Sequence, residues 1–215
     1  MRNVEEEDMK QVRDIVRDIW DFVDFMSCEK IADAAVAVYL NQFFRNSSFG
    51  KVALLDGEVV GVVFASVVGE APTCRMLQGD HINNTITLME APDYVRSDFT
   101  LYIRTIIDAN ALLISGKVDE YDGSLDFLIV SQKAQGLKVG KKLWHQAATY
   151  FKKHQAQKIY LYTDTYCNVG FYEHNGFKRV NTKDIVMGFS EGNDQVSNYL
   201  YEYSFSEHSA EQKHT

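Results

Sequence analysis

The chain has 215 residues, 46% apolar and 24% charged, which places it among ordinary soluble globular proteins long enough to bury a full core. Aspartate and glutamate total 30 against 22 lysines and arginines, and the net charge of −8 excludes the electrostatic footprint of a general nucleic-acid binder. Three widely spaced cysteines, Cys28, Cys74 and Cys167, fit free thiols in a reducing compartment better than a disulfide framework.

At the N-terminus the acidic run Glu5–Asp8 replaces the apolar core of a signal peptide, and no apolar run is long enough to span a bilayer. A cytoplasmic protein with no membrane or nucleic-acid partner is expected. Met9, Val12, Ile15, Val16, Ile19, Val23 and Met26 keep helical spacing and predict a helix over about 4–26, with acidic residues at its positive end. A second helix is predicted from about Ile31 to Phe44, with Ala34, Ala35, Val38 and Phe43 in its apolar set and Asn46-Ser47-Ser48 closing it. Lys51–Leu55 and Val59–Val68 then read as strands joined through Asp56-Gly57, a strong hairpin signal.

Residues 69–122 hold both prolines, Pro72 and Pro92, and yield one predicted helix, about Ser97 to Ile114. The segment reads equally as a cover or pocket wall and as a fold-filling insertion. The organising stretch is Ser124–Val180. Leu125, Phe127 and Ile129 alternate with Asp126, Leu128 and Val130, predicting a strand. Gln135-Gly136-Leu137-Lys138-Val139-Gly140 follows as a glycine-bearing turn, and Leu143, Trp144, Ala147, Ala148 and Phe151 continue at helical spacing. A turn feeding a helix start is an anion site, so this βαβ unit predicts a phosphate-bearing ligand. Lys138, Lys141 and Lys142 lie beside it; Lys152 and Lys153 read as a solvated helix face. Ile159–Thr163 is a further strand, and Asn198–Phe205 alternates as a last one. The chain is expected to form one domain over 1–205, with 206–215 as a flexible tail.

Two motifs in this stretch resemble the GNAT superfamily of N-acetyltransferases. The family's Arg/Gln-x-x-Gly-x-Gly/Ala turn is matched at Gln135 and Gly140, with Lys138 where the family usually has glycine. Its second signature is an asparagine ahead of a short helix and then Tyr-x-x-x-Gly-Phe, matched by Asn168 and by Tyr172 through Phe177. The resemblance implies a mixed α/β domain with a mostly antiparallel sheet, helices on both faces, and a splayed parallel strand pair that holds acetyl-CoA as acyl donor. It further implies that the pyrophosphate sits on the backbone of Gln135, Gly136, Leu137, Lys138, Val139, Gly140 and Lys141. The pantetheine amides would pair with Leu128, Ile129 and Val130, and Asn168 and Phe171 would lie at the thioester arm. A lysine at 138 costs about 1 kcal/mol if the position is left-handed.

Acetyl transfer to an amine needs a base and an acid. Asp126 is the nearest acid on the first strand, Asp164 at the end of the second is its rival, and for each a structural hydrogen bond weighs equally with catalysis. The N–H near Val130 would serve the oxyanion. Tyr172 stands where the family places its general acid, and a ring packed beneath the cofactor is its weaker, structural alternative. Cys167 lacks a neighbouring base and reads as a passive thiol. The six histidines show no ligand spacing, so no metal is expected. The expected acceptor is a small-molecule or peptide amine, and exposed apolar edges would suit a homodimer. Two other readings stand beside this one: a catalytically silent acyl-CoA-binding or regulatory module on the same fold, and a P-loop nucleotide binder. Against the P-loop, the glycine spacing is one residue short, and Lys142 stands where Ser or Thr is required.

Overall fold

The hairpin closes at Asp56-Gly57, whose φ angles of 52° and 89° lie in the left-handed region that a tight turn between twisted strands requires. Leu55 faces Glu58 across it. The computed structural model to which it belongs describes residues 1–20, 28–73, 81–189 and 192–205. Its strands are β1 (Arg2–Asn3), β2 (Phe49–Leu55), β3 (Glu58–Val67), β4 (Gly123–Val130), β5 (Lys158–Asp164), β6 (Lys178–Phe189) and β7 (Gly192–Ser204). They form a seven-stranded sheet in the order β1-β2-β3-β4-β5-β7-β6. The pairs β1–β2, β2–β3, β5–β7 and β6–β7 are antiparallel and β4–β5 is parallel. Among the described residues there are six α-helices: α1 (Met9–Trp20), α2 (Glu29–Asn46), α3 (His81–Met89), α4 (Asp93–Ile114), α5 (Val139–Lys153) and α6 (Val169–His174). The mixed α/β class with a mostly antiparallel sheet and one parallel pair is the one the sequence predicts.

The chain divides into two compact units. The first joins Met1–Ser97 to Leu125–Tyr150, and the second joins Asp98–Ser124 to the chain from Phe151 on. In the first unit β3 is buried without a break from Val59 to Ala65, as a strand covered on both faces must be. Helix α1 turns Met9, Val12, Ile15 and Val16 inward at helical spacing. An aromatic cluster fills the space by β4: Phe127 meets Trp20 at 6.0 Å, Phe43 at 5.1 Å and Phe64 at 6.5 Å between ring centroids. The chain start does not join α1 as the spacing suggested. Asp8, 3% exposed, accepts the Glu5 N–H at 2.8 Å and both Arg2 nitrogens at 2.6 and 2.7 Å, which caps a 3₁₀ turn over Glu6–Asp8 ahead of the helix. The predicted helix positions Val23 and Met26 lie outside the described residues.

In the second unit β5 runs beside the start of β4, with Gly123 opposite Ile159 and Ser124 opposite Tyr160. Its other edge pairs with β7 along its whole length, from Lys158↔Ser204 to Asp164↔Asn198. β6 and β7 form a hairpin much longer than the predicted Asn198–Phe205 strand, interrupted by a bulge between Arg179 and Asn181. Two helices, α3 and the longer α4, occupy what read as an insertion. The proposed tail, 206–215, lies outside the described residues.

Close approach to backbone decides Gly61. A Cβ on Gly61 would stand 3.0 Å from the Ile129 carbonyl oxygen, 3.1 Å from Leu143 and 3.3 Å from Val130. Because the nearest atom is backbone, Gly61→Ala must displace the end of β4. It is expected to lower stability by about 1–2 kcal/mol, read as a reduced urea midpoint at unchanged m-value.

Candidate functional site

Within the first unit the site residues follow β4. Leu125, Phe127 and Ile129 point into the core, leaving Asp126, Leu128 and Val130 half-buried on the other face. The Ser131 N–H bonds the Val60 carbonyl at 2.9 Å, which anchors the strand end, and a 3₁₀ turn over Gln132–Ala134 follows. Gly136 then takes φ +80° and Lys138 φ +58°, with Leu137 between them bonded back to the Ala134 carbonyl. The two left-handed residues swing the chain into α5. The Lys142 N–H reaches the Lys138 carbonyl at 3.1 Å. Among the described residues no acceptor is bonded to the N–H groups of Lys138, Val139, Gly140 or Lys141. These are the orphan donors of a helix start, at the positive end of its dipole.

The turn is exposed, as are Lys138, Lys141 and Lys142 beside it. Among the described residues none of these three lysines has a carboxylate within ion-pair distance, whereas Lys133 pairs with Glu58 at 3.5 Å. Val139, Leu143, Trp144 and Ala147 hold the inner face of α5 in the core. The result is a fixed group of backbone donors with surplus positive charge, suited to a phosphate or pyrophosphate.

Asp126 is already engaged. Its carboxylate accepts from the Ser47 hydroxyl at 2.8 Å and from the Ser66 hydroxyl at 2.6 and 2.8 Å. Ser47 is fully buried, and its oxygen also lies 2.7 Å from the Phe43 carbonyl. These bonds tie β4 to β3 and to the end of α2.

The second unit gathers the remaining candidates. Asp164 ends β5, where its Oδ1 accepts the Tyr166 N–H at 2.8 Å and its carbonyl accepts the Cys167 N–H at 3.2 Å. Asn168 caps α6 through its Oδ1, which accepts the Phe171 N–H at 3.3 Å. Tyr172 lies against Phe171, Phe177 and Tyr201 with centroids 5.4, 5.7 and 6.1 Å away. Burial raises its phenol pKa well above the ordinary range, and negative charge at Cys167 and Asp164 adds to the rise. The Cys167 thiol is raised by burial and then by Asp164, as a passive thiol would be. Thus Asp164, Cys167 and Tyr172 share one neighbourhood.

Sequence reading missed two members of this neighbourhood. Tyr102, on α4, has its phenol raised by burial and then by Asp164 and Cys167. Asn198 is the cross-strand partner of Asp164; it is 3% exposed, and its Oδ1 has no hydrogen-bond partner. Asn110 on α4 carries a second buried, unpartnered Oδ1. Tyr102 and Asn110 sit in the segment that gave little pattern, and a polar residue in an apolar strand carries no signal in hydrophobic spacing. Among the described residues no group of His, Cys, Asp and Glu side chains has metal-holding geometry.

The chain matches the model of the acetyltransferase (GNAT) family over residues 9–177. No curated protein matches it. Several solved structures share the fold. The paia N-acetyltransferase of Thermoplasma acidophilum in complex with coenzyme A is 15% identical, with 95% of this chain and 97% of that one aligned at a TM-score of 0.52. The ribosomal-protein-alanine N-acetyltransferase of Brucella melitensis is 12% identical over 95% and 98% of the chains, also at 0.52. An N-acetyltransferase from Staphylococcus aureus Mu50 is 12% identical over 94% and 96%, at 0.52.

Two outcomes follow from the local geometry. Lys138→Gly removes a side chain from a left-handed residue and is expected to raise stability by about 0.5–1 kcal/mol in chemical denaturation. Tyr102, Tyr162 and Tyr172 are raised above the ordinary range, chiefly by burial, and Tyr121 is pushed up to about 12 by burial and Glu202. Above about pH 10 the unfolded chain loses these phenolic protons while the folded chain keeps them. Stability should therefore fall as pH rises from 10, and Tyr172→Phe should flatten that slope in denaturation series at pH 9, 10 and 11.

Proposed function

This chain belongs to the acetyltransferase (GNAT) family, and from that membership we propose that it transfers an acetyl group from acetyl-CoA to a primary amine by direct attack in a ternary complex. The observation that carries the reading is the start of α5. Unbonded N–H groups at Lys138–Lys141 and three lysines free of carboxylates, among the described residues, are what a pyrophosphate requires. In this reading the backbone from Gln135 to Lys141 takes the pyrophosphate. Leu128, Ile129 and Val130 offer backbone groups to the pantetheine amides, and Asn168 and Phe171 serve the thioester arm.

When bound, acetyl-CoA supplies an activated acyl thioester. The chain's own residues manage two protons. Asp164 is the better base, because Asp126 is held by Ser47 and Ser66 and reads as a structural carboxylate. Asp164 receives the amine proton as the carbon–nitrogen bond forms. Tyr172 gives its phenolic proton to the departing sulfur as the carbon–sulfur bond breaks, and it is rearmed from solvent. Its raised pKa keeps that proton in place across the working pH range. The acceptor is a small molecule or an exposed peptide amine.

Free CoA thiol should accumulate when the protein is mixed with acetyl-CoA and a panel of primary amines. Tyr172→Phe should lower kcat about 100-fold with acetyl-CoA affinity retained, and Asp164→Asn should lower it further than Asp126→Asn. Lys138→Gly should leave acetyl-CoA affinity within a few fold, since the backbone N–H at that position survives. Absence of acetyl-CoA binding in calorimetry would overturn the reading.

A further inference from the structure

Resting on the reading of Tyr172 as proton donor, we infer that Glu173, Arg179 and Tyr201 form a closed clamp that aims Tyr172 at the departing sulfur. All of these residues belong to the second unit. The clamp answers a weakness of α6. The helix has six residues, too few to persist alone in water, and none of them is buried. Its own hydrogen bonds close on themselves. Asn168 caps its start, and past its end the Gly176 N–H returns to the Glu173 carbonyl at 3.1 Å, with Gly176 at φ +89°. These bonds shape the turn but leave its place on the sheet undecided.

The β6–β7 hairpin supplies a receiving face. Arg179 on β6 stands opposite Tyr201 on β7, so both side chains leave on one side, which Tyr199 shares two residues earlier. Tyr172 lies against the Tyr201 ring at 6.1 Å between centroids, and Phe177, buried just past α6, lies against Tyr203 at 5.1 Å. Apolar contact of this kind has no direction and tolerates sliding.

Three directional bonds remove that freedom. The Tyr201 hydroxyl donates to Glu173 Oε1 at 2.8 Å and accepts from Arg179 Nε at 2.9 Å. A terminal Arg179 nitrogen donates to the same Glu173 oxygen at 3.2 Å, which closes the triangle. The guanidinium lies over the Tyr199 ring at 4.0 Å, which fixes its plane. The pairing register shifts between Arg179 and Asn181, and a bulge at that point re-aims the side chain beside it. Packing alone does not call for this hydroxyl: Tyr201 is fully buried, and phenylalanine would fill the place with no oxygen to satisfy. Glu173 and Arg179 keep 50% and 38% of their side chains exposed, where an ion pair by itself adds little stability. The triangle therefore serves direction. Glu173 follows Tyr172 in the same helical turn, so holding one side chain sets the rotation that aims the other. Glu173, Arg179 and Tyr201 are positioning residues that act through Tyr172.

The test follows CoA thiol release by the full chain with n-butylamine and 1,4-diaminobutane, in a cycle of Tyr201→Phe, Tyr172→Phe and the double variant. Tyr201→Phe should lower kcat about tenfold, the scale of a misplaced catalytic group. The KM of both amines and the acetyl-CoA affinity in calorimetry should stay within twofold. In the Tyr172→Phe background the same change should move kcat less than twofold, because no donor is left to position. Where Tyr201→Phe does not fold, Glu173→Ala opens the triangle from its exposed corner and completes the same cycle. Glu173→Gln, which keeps an oxygen for the phenol, should recover part of that loss. A lower Tm with kcat retained overturns the inference and makes the triangle a structural brace. An equal loss of kcat in both backgrounds also overturns it, with Tyr172 standing as donor. A Tyr172→Phe protein as active as wild type removes the donor, and a wild type that releases no CoA with either amine removes the transfer; each takes the clamp with it.

Discussion

A helix cannot bond its own first N–H groups, and the candidate phosphate site rests on that constraint. Lys138, Val139, Gly140 and Lys141 carry these donors at the start of α5, and the preceding turn keeps protein acceptors away from them. The turn does so through two left-handed residues. Gly136 adopts φ +80° without strain, whereas Lys138 at φ +58° holds a conformation its side chain disfavours. A lysine in that place trades backbone ease for charge beside the donors. The inner residues of α5, Leu143, Trp144 and Ala147, then fix the helix by burial, so the donors have a rigid base.

The carboxylates illustrate how environment separates residues of one type. Asp8 is locked by Arg2 and the Glu5 N–H, and it shapes the chain start. Asp126 is clasped by two serine hydroxyls from neighbouring elements and ties β4 to them. Asp164 sits at a strand end among Cys167, Tyr102 and Tyr172, where half-buried phenols and an acid coexist. Only the last has the company expected of acid–base chemistry.

What the sequence made readable follows burial pattern. Ser124–Val180 was readable because β4 alternates strictly and α5 buries one face, so both periods stand out. The Asp56-Gly57 turn and the Asn168 cap were readable because residue type there dictates backbone conformation. Helix α3 was hidden because it buries no residue and has no stripe to detect. β6 was hidden because Asn181, Thr182, Lys183 and Asp184 are all exposed in succession. In β7 the stretch from Asn198 on alternates in residue type and was readable, although Asn198, Tyr199, Leu200 and Tyr201 are all buried. The same covering on both faces is what strands the Asn198 oxygen without a partner.

The interleaving of the two units bears on synthesis at the ribosome. The first unit is complete once Tyr150 has emerged, although residues 98–124 were made before its last stretch. Those residues belong with strands not yet translated: the Leu113 carbonyl awaits Asn181, and Tyr121 awaits Tyr160 and Glu202. For that interval the nascent chain carries an apolar helix whose destination does not exist, tethered at both ends to a finished neighbour. Any pause after Tyr150 prolongs this exposure, and a chain ended there would keep the glycine-bearing turn while leaving α4 without its sheet.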